Sequence, residues 1–254
     1  LKGRYGDSPV QIEGKINHKN INTQVSTLRI NSSGIIQSDL KDIPFFEDLK
    51  YSGPAQVSLS LNGNLDSFRF EQEIDMVALK YRVLDFFEKQ PNIVNEFKAK
   101  GSVSKSGGLT IDKWIYKLNG NQISGSARIL NLDNPEFNIN LEANNFYVKP
   151  TQRFFRFFDA DMDGSTDFKI VGSGDLNDLQ KAKYAGEIEL KKFKIRPENF
   201  SSFLEVDASL EFQENRLDIL SANIDSDQNE LSFSGKYQRG NSPRLDLKLT
   251  GKRL

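Results

Sequence analysis

The sequence of 254 residues contains no cysteine and a single histidine, His18. The first absence excludes a disulfide scaffold and cysteine-ligated zinc, and the second excludes a multi-histidine metal site. A Ser-His-Asp triad would have to use His18, which lies in a polar segment and is interpreted as a surface residue. The sequence also has no P-loop, no dinucleotide-binding glycine motif and no nucleophile elbow. We therefore predict a protein that is not an enzyme and uses no cofactor.

The sequence also has no excess of either charge, because it contains 34 Lys and Arg residues and 35 Asp and Glu residues, for a net charge of -1. This balance argues against a nucleic-acid partner. No run approaches the ~18 apolar residues of a membrane-spanning helix. The chain starts at Leu1 without a signal-peptide pattern, and we interpret it as part of a longer protein whose signal or anchor lies outside the sequence.

Apolar and polar residues alternate along most of the chain, as residues 55–62 and 122–129 illustrate. Strict alternation predicts half-buried β-strands, since successive side chains of a strand point to opposite faces. Turn formers such as Asn119-Gly120 separate the alternating stretches and predict hairpins. The sequence offers few of the helical crossovers that parallel strands need. The predicted fold class is all-β, with a mainly antiparallel sheet.

The apolar residues of the alternating stretches form one predicted face, and they are the candidate residues of a lipid groove. They are Val57, Leu59, Leu61, Ile123, Ala127, Ile129, Phe137, Ile139, Leu141, Phe168, Ile170, Ile188, Leu190, Leu204, Val206, Leu210, Phe212, Leu231, Phe233, Leu245, Leu247 and Leu249.

Landmarks recur along the chain with a period of about 110 residues, which indicates an internal repeat. Gly53 corresponds to Gly164, and Pro135, before a closing strand, corresponds to Pro243. We predict three segments. Residues 1–50 are the tail of a preceding repeat with connecting strands, and residues 51–160 and 161–254 are repeat units of a longer array.

Two stretches depart from alternation and predict short amphipathic helical inserts, residues 81–97 and 149–158. Pro91 would interrupt the first, and Thr151 after Pro150 is a candidate cap for the second. The second stretch ends in a phenylalanine cluster, for which packing as a core plug is favoured over lipid contact. The cluster is Phe154, Phe155, Phe157 and Phe158.

Two charged segments have alternative interpretations. Asp159, Asp161 and Asp163 match the opening of a calcium loop, but Ile170 replaces the glutamate expected at its twelfth position, so an inter-repeat turn is favoured over a metal site. The basic stretch 191–196 resembles a membrane or nucleic-acid patch, although nearby acids favour a strand with one wet face.

Three architectures can bury alternating strands of this number. A closed barrel would be hollow, and a β-sandwich would seal the apolar faces as a dry core. The third is an open U-shaped trough with its apolar face inward, in which a dozen strands at ~4.8 Å spacing advance ~55 Å. We predict the trough, with a β-sandwich array as the alternative.

Several features follow one another in a characteristic order. A Ser-Gly turn comes first, and it is followed by an alternating strand, Leu61-Asn62-Gly63-Asn64-Leu65, a later Ser-Gly strand and a Pro-led closing strand with Leu245, Leu247 and Leu249. This order resembles that of the AsmA-like superfamily. This superfamily includes the AsmA, TamB and YhdP branches. The resemblance covers nearly the whole chain, but it is one of pattern and transfers no site motif. It implies a periplasmic β-taco domain of a protein anchored in the inner membrane.

The resemblance also implies a function, in which an apolar groove carries phospholipid acyl chains between the inner and outer membranes and supports the envelope. The expected partner is therefore a phospholipid or another acyl lipid. The alternative is a β-sandwich adhesion or scaffold module without lipid cargo.

Overall fold

The computed structural model describes residues 2–5, 8–15, 26–35, 50–64, 66–83, 87–105, 107–131, 134–154, 160–178, 181–198, 200–226, 229–240 and 242–252. Within these ranges nearly all regular structure is β-strand, which confirms the all-β prediction. His18 lies outside the described residues. The chain divides into unit 1, Leu1–Glu136 with Phe154–Arg156, and unit 2, Phe137–Arg153 with Phe157–Leu254.

The strands up to the unit boundary are β1 (Lys2–Tyr5), β2 (Ser8–Lys15), β3 (Ser26–Ile35), β4 (Lys50–Ser52), β5 (Ala55–Gly63), β6 (Ser67–Asp75), β7 (Lys80–Val83), β8 (Phe87–Lys89), β9 (Asn95–Ser104), β10 (Gly108–Leu118) and β11 (Asn121–Leu130). The later elements are β12 (Glu136–Tyr147), α1 (Lys149–Gln152), β13 (Ala160–Asp175), β14 (Lys183–Pro197), β15 (Leu204–Gln213), β16 (Arg216–Ser226), β17 (Asn229–Gln238) and β18 (Arg244–Lys252).

Fifteen of the described strands belong to one large antiparallel sheet, and β4, β7 and β8 form a second, small sheet. The order in unit 1 is β1-β2-β3-β5-β6-β9-β10-β11, and the order in unit 2 is β12-β13-β14-β15-β16-β17-β18. Neighbours in the large sheet are therefore neighbours in the sequence, except where the strands of the small sheet intervene. Short turns favour this topology, because they can join only antiparallel strands.

The turn residues explain why the hairpins are tight. Asn119 and Gly120 join β10 to β11 with φ angles of 49° and 90°, and positive φ at both positions is what a two-residue type I′ turn requires. The hairpin prediction at this site is confirmed. Between β5 and β6, the Asn64 side-chain oxygen accepts hydrogen bonds from the N–H groups of Asp66 at 3.0 Å and Ser67 at 2.9 Å.

The predicted helix over residues 81–97 is wrong. The described residues of this stretch form β7, β8 and the start of β9. Burial alternates within β8, because Phe87 and Lys89 are buried and the residue between them is less so. This period of two is that of a strand. The small sheet buries its aromatic residues in a core of unit 1. That core contains Tyr51, Ala55, Leu79, Tyr81, Phe87, Leu118 and Phe154.

The helical insert predicted at 149–158 is limited to the four residues of α1 within the described part of the stretch. Thr151 is not its cap. Val148 holds the cap position, and the Thr151 hydroxyl donates a hydrogen bond of 2.8 Å to the Val148 carbonyl from inside the helix. The core-plug prediction is confirmed for Phe154, which is 1% exposed with its ring 6.1 Å from that of Phe87. Residues 155–159 lie outside the described part of the chain.

Candidate functional site

In unit 1, the predicted groove residues of β5 and β11 lie on one face of the large sheet. Residues directly opposite each other on antiparallel strands share a face, so the register can be followed from strand to strand. The rows of this face are Val57, Ile74, Phe97, Tyr116 and Ile123; Ile12, Ile30, Leu59, Gln72, Ala99, Trp114 and Gly125; Leu28, Leu61, Phe70, Gly101, Ile111 and Ala127; and Phe68, Val103, Leu109 and Ile129.

In unit 2, the predicted residues from β13 to β18 also share one face. The rows are Phe168, Ile188, Leu210, Ile219, Gly235 and Leu247; Ile170, Gly186, Phe212, Leu217, Tyr237 and Leu245; Leu190, Ala208, Ala222, Phe233 and Leu249; Phe193, Val206, Ile224 and Leu231; and Met162, Ile195 and Leu204. On β12, the side chains of Phe137 and Ile139 lie beside Gly174 and Gly172 of β13, which places them on the same face. Leu141 follows by alternation.

β-Bulges keep the apolar residues on this face where the sequence changes parity. The register shifts between Ile111 and Trp114 in β10, and between Leu190 and Phe193 in β14. Each bulge places one extra residue on its strand. Without it, every later side chain would move to the opposite face. Lys192 lies in the second bulge with a φ of 46°.

An open apolar face and a sealed core predict different solvent exposures for the groove residues. All of them are half-buried, except Leu245, Leu247 and Leu249, which are exposed. The inner faces of a sandwich pack at the density of a protein interior, and their large side chains are typically fully buried. The fully buried apolar residues on the sheet rows are mostly small, such as Ala99, Ala208 and Ala222. Most large apolar side chains of these rows thus retain contact with solvent, whereas Met162 and Phe193 are buried.

Aromatic rings cover glycines on the apolar face. Gly186 lies opposite Phe212, and a Cβ at Gly186 would come within 2.8 Å of that ring. Gly101 lies opposite Phe70, and a Cβ there would lie 3.0 Å from the ring. This cross-strand arrangement fills the gap that a glycine leaves in a strand.

The small sheet closes one margin of the apolar face in unit 1. Ile74, Met76 and Tyr116 pack against its core. The hydroxyl oxygens of Tyr81 and Tyr116 are 2.6 Å apart, and the Asn95 amide donates a hydrogen bond of 2.6 Å to the Tyr81 hydroxyl. Burial raises the pKa of both phenols, so they remain neutral.

Lys89 anchors the loop between β6 and β7. It is fully buried, and its ammonium group donates to the carbonyls of Met76 at 2.6 Å, Val77 at 3.0 Å and Leu79 at 2.7 Å. Burial lowers the pKa of Lys89 to about 8, against the attraction of Asp75. An amine enclosed by three backbone carbonyls acts in structure, since no substrate can reach it.

Asp161 and Asp163 of the calcium candidate bond to other side chains. Arg196 bonds Asp161 at 2.9 Å, and Asp163 accepts hydrogen bonds from the Tyr147 hydroxyl at 2.6 Å and from Lys149 at 3.0 Å. These two bonds lower the pKa of Asp163. Asp159 lies outside the described residues. Across the described part of the chain, no group of three or more His, Cys, Asp or Glu residues is placed to hold a metal.

The basic stretch 191–196 lies on β14, and its predicted form, a strand with one wet face, is confirmed. Its cations pair with acids of neighbouring strands, Lys191 with Asp167 and Lys194 with Glu205. Phe193, between them in sequence, is buried on the apolar face. Two of the basic side chains of this stretch therefore lie beside carboxylates of adjacent strands.

A separate recess of about 480 Å³ lies in unit 1 against β1, β2, β3, β5 and β6. Val57 is among its lining residues, together with the charged residues Lys2, Glu73 and Asp75. Its mixed lining distinguishes it from the apolar rows.

Several residues of the apolar face were missed by the sequence prediction, above all those of β6, β9 and β10. Phe97 and Trp114 stack with ring centroids 6.4 Å apart. The alternation of Phe68, Phe70 and Ile74 was a usable signal, although Gln72 interrupts it. Trp114 was harder to find, because the bulge before it changes the parity of β10.

No protein-family model matches the chain, and comparisons with curated proteins and with solved structures gave no match. Among the described residues, no helix has the length and apolar character needed to cross a membrane.

Proposed function

We propose that this protein is a non-enzymatic lipid-binding domain whose apolar sheet faces hold the acyl chains of a phospholipid. One observation carries the proposal. In each unit, the large apolar side chains of successive strands share one face, and most of them are half-buried or exposed. Contiguous exposed apolar surface on a soluble protein marks a site for an apolar partner. An acyl chain can cover such a surface without any specific polar group.

The alternative, a sandwich or scaffold module without lipid, has less support. A sandwich needs a second sheet large enough to cover the apolar rows. Among the described residues, the second sheet consists of β4, β7 and β8, and its core lies at one margin of the unit 1 face. We therefore favour an open U-shaped trough built from repeat units of about 110 residues.

The resemblance to the AsmA-like superfamily supports the same assignment and extends it. It supports a periplasmic location, anchoring in the inner membrane through regions outside this sequence, and transport of phospholipid towards the outer membrane. The hydrogen bonds of the buried ionisable groups support the proposed absence of catalysis. Lys89, Tyr81 and Tyr116 are held by hydrogen bonds within the core of unit 1.

Site-specific photocrosslinking on β15 tests the proposal, because this strand presents apolar and charged side chains alternately. A crosslinking amino acid at Val206 or Leu210 lies on the apolar face, whereas one at Glu205 or Glu211 lies on the opposite face. We expect lipid adducts at the first pair in cells and in purified protein mixed with phospholipid vesicles. The second pair is the matched control, and it should give about tenfold less adduct, because an acyl chain avoids a charged surface.

Two outcomes would contradict the proposal. Absence of adducts at Val206, Leu210 and the added position Ile139 would support a sealed module instead. Equal labelling on both faces would indicate nonspecific contact with vesicles. Circular dichroism of each variant checks that the fold is retained.

A further inference from the structure

The apolar face of unit 1 has two unlike margins, one at each end of its strands. At the end near the small sheet, one further row lies beyond the row that contains Ile74 and Tyr116. This inner row is Ala55, Met76, Asn95, Leu118 and Asn121. Its members are buried except for Met76, which is half-buried, and Ala55 and Leu118 belong to the core that the small sheet covers. The row of Ile74 and Tyr116 is half-buried, so the open part of the face begins there.

We propose that the small sheet acts as a stop for the methyl end of an acyl chain and so limits the chain length that unit 1 accepts. This inference rests on the proposed lipid-binding function and adds an orientation and a length limit to it. The acyl chain lies along the strands, with its methyl end at the row of Ile74 and Tyr116. The head group lies at the opposite margin.

The stop is fixed by hydrogen bonds as well as by packing. The Tyr116 hydroxyl lies 2.6 Å from the Tyr81 hydroxyl of β7, and the Asn95 amide donates to Tyr81 at 2.6 Å. Lys89 of β8 donates to the Met76 carbonyl at 2.6 Å, which holds the small sheet to the end of β6. An acyl chain that advanced beyond Tyr116 would separate these groups without replacing their hydrogen bonds. The inner row is therefore closed to it.

The opposite margin suits a head group. It consists of the turns that follow β5, β9 and β11, and its residues Asp66, Lys105 and Asn131 are exposed. These polar residues lie beyond the row of Phe68 and Ile129. An amphipathic ligand matches this asymmetry only with its tail towards the small sheet and its polar end towards the turns, because a buried head group would lose its water.

The open length of the face agrees with that of one acyl chain. The distance along β6 from Phe68 to Ile74 is ~20 Å at ~3.4 Å per residue. One leaflet of a bilayer holds its acyl chains in ~15 Å, half of the ~30 Å hydrocarbon core. The face thus accommodates one chain of a membrane lipid lengthwise. A much longer chain would leave methylenes in water or press against the stop.

Photocrosslinking at Leu61 tests the stop within unit 1, because this residue lies in the middle of the open face, opposite Phe70. The 254-residue chain is mixed with vesicles that contain equal amounts of monounsaturated phosphatidylcholines of three chain lengths. The mass of each adduct then identifies the chain length. We expect the wild type to be labelled at least about tenfold more by chains of about 16 carbons than by chains of about 24, because each methylene left in water costs up to about fourfold in affinity.

Two substitutions in the row next to the stop should shift this distribution in opposite directions. Phe97→Ala removes a ring and should increase the share of the longest chains about tenfold, whereas Ile123→Phe adds a ring and should shift labelling towards chains of about 12 carbons. Val103→Ala and Ile129→Phe are the matched controls, because they lie on the same strands and the same face at the open margin. They should leave the distribution unchanged even where they lower total labelling.

The outcomes separate this inference from the proposed function. Absence of any phosphatidylcholine adduct at Leu61 would overturn both. Adducts whose distribution is the same in the wild type, Phe97→Ala and Ile123→Phe would overturn the stop and leave lipid binding standing. Equal shifts in the two control variants would overturn the orientation. Circular dichroism checks the fold of each variant, and either Phe97→Ala or Ile123→Phe with its control is enough for the test.

Discussion

Lys89 illustrates how a buried charge can be retained. Removing an ammonium group from water is costly, and the cost is offset only when its protons find good acceptors. Lys89 has three, the carbonyls of Met76, Val77 and Leu79. The first two also accept hydrogen bonds from the N–H groups of Leu79 and Asn92. The residue therefore fixes the loop that leads into β7.

Replacing Lys89 by methionine keeps the aliphatic stem and removes the donor. We expect Lys89→Met to lower the free energy of unfolding by about 2–4 kcal/mol, because the three buried hydrogen bonds of the ammonium group are lost. Urea unfolding at pH 7 measures the loss. The control is Lys98→Met, since Lys98 is exposed on β9 and pairs with an exposed Glu73, and its loss should stay within about 0.5 kcal/mol. Equal losses in both variants would contradict the structural role of Lys89.

The pH dependence of the same residue follows from its pKa of about 8 in the folded protein, against 10.5 as the ordinary value. Between these values the unfolded chain binds more protons than the folded one. The contribution of Lys89 to stability therefore rises with pH over this window, by at most about 1.4 kcal/mol per pH unit. We expect the stability difference between wild type and Lys89→Met to widen from pH 7 to pH 9.5. A difference that narrows over this range would contradict the lowered pKa.

At the scale of the element, the bulge in β14 decides which side chains face the apolar surface. Lys192 occupies it with positive φ, and its N–H donates a hydrogen bond of 2.8 Å to the Asp207 carboxylate. Positive φ is tolerated by glycine and asparagine and is strained for β-branched residues. The bulge lets Phe193 and Ile195 join the same face as Ile188 and Leu190.

Substitutions at Lys192 should follow backbone preference rather than charge. We expect Lys192→Val to destabilise the protein by about 1–2 kcal/mol, and Lys192→Gly to leave its stability unchanged or slightly higher. Thermal unfolding of the two variants measures this difference. Lys194→Val, on the same strand outside the bulge, is the control. A similar stability for Lys192→Val and Lys192→Gly would contradict the bulge.

The sequence predicted the elements well wherever alternation is unbroken. The strands containing Leu59, Leu210 and Phe233 follow directly from a period of two, and the Asn119-Gly120 turn defines its hairpin. The prediction failed where a tertiary contact or a bulge overrides the local pattern. Alternation cannot show that β7 and β8 leave the large sheet to form a second core. A bulge inserts a single residue, and a pattern read over a whole strand does not detect it.

At the scale of the whole molecule, the strands of the large sheet depend chiefly on their immediate neighbours. Such a ladder resembles a repeat protein, in which protection varies along the array. A strand bonded on both sides should be more protected than an edge strand. Within unit 2 this contrast separates β14, which has two neighbours, from β18, which has one among the described strands.

We expect amides of β18 to exchange with solvent at least about tenfold faster than those of β14 in dilute protein, because an edge strand opens without breaking a second ladder. Hydrogen exchange with mass spectrometry measures this difference. Peptides from β14 serve as the internal control, since this strand is paired on both sides. Equal exchange of the two strands in dilute protein would contradict the graded stability.

Trp114 is the only tryptophan of the sequence, and it lies on the apolar face of unit 1 beside Phe97. The sequence therefore has one tryptophan fluorophore, placed on the surface where acyl chains are proposed to bind. Its emission reports the polarity of that surface without labelling or mutation. A short-range quencher carried on an acyl chain would reduce the fluorescence of Trp114 when the chain approaches this side of the sheet. Contact there can therefore be observed in the wild-type chain.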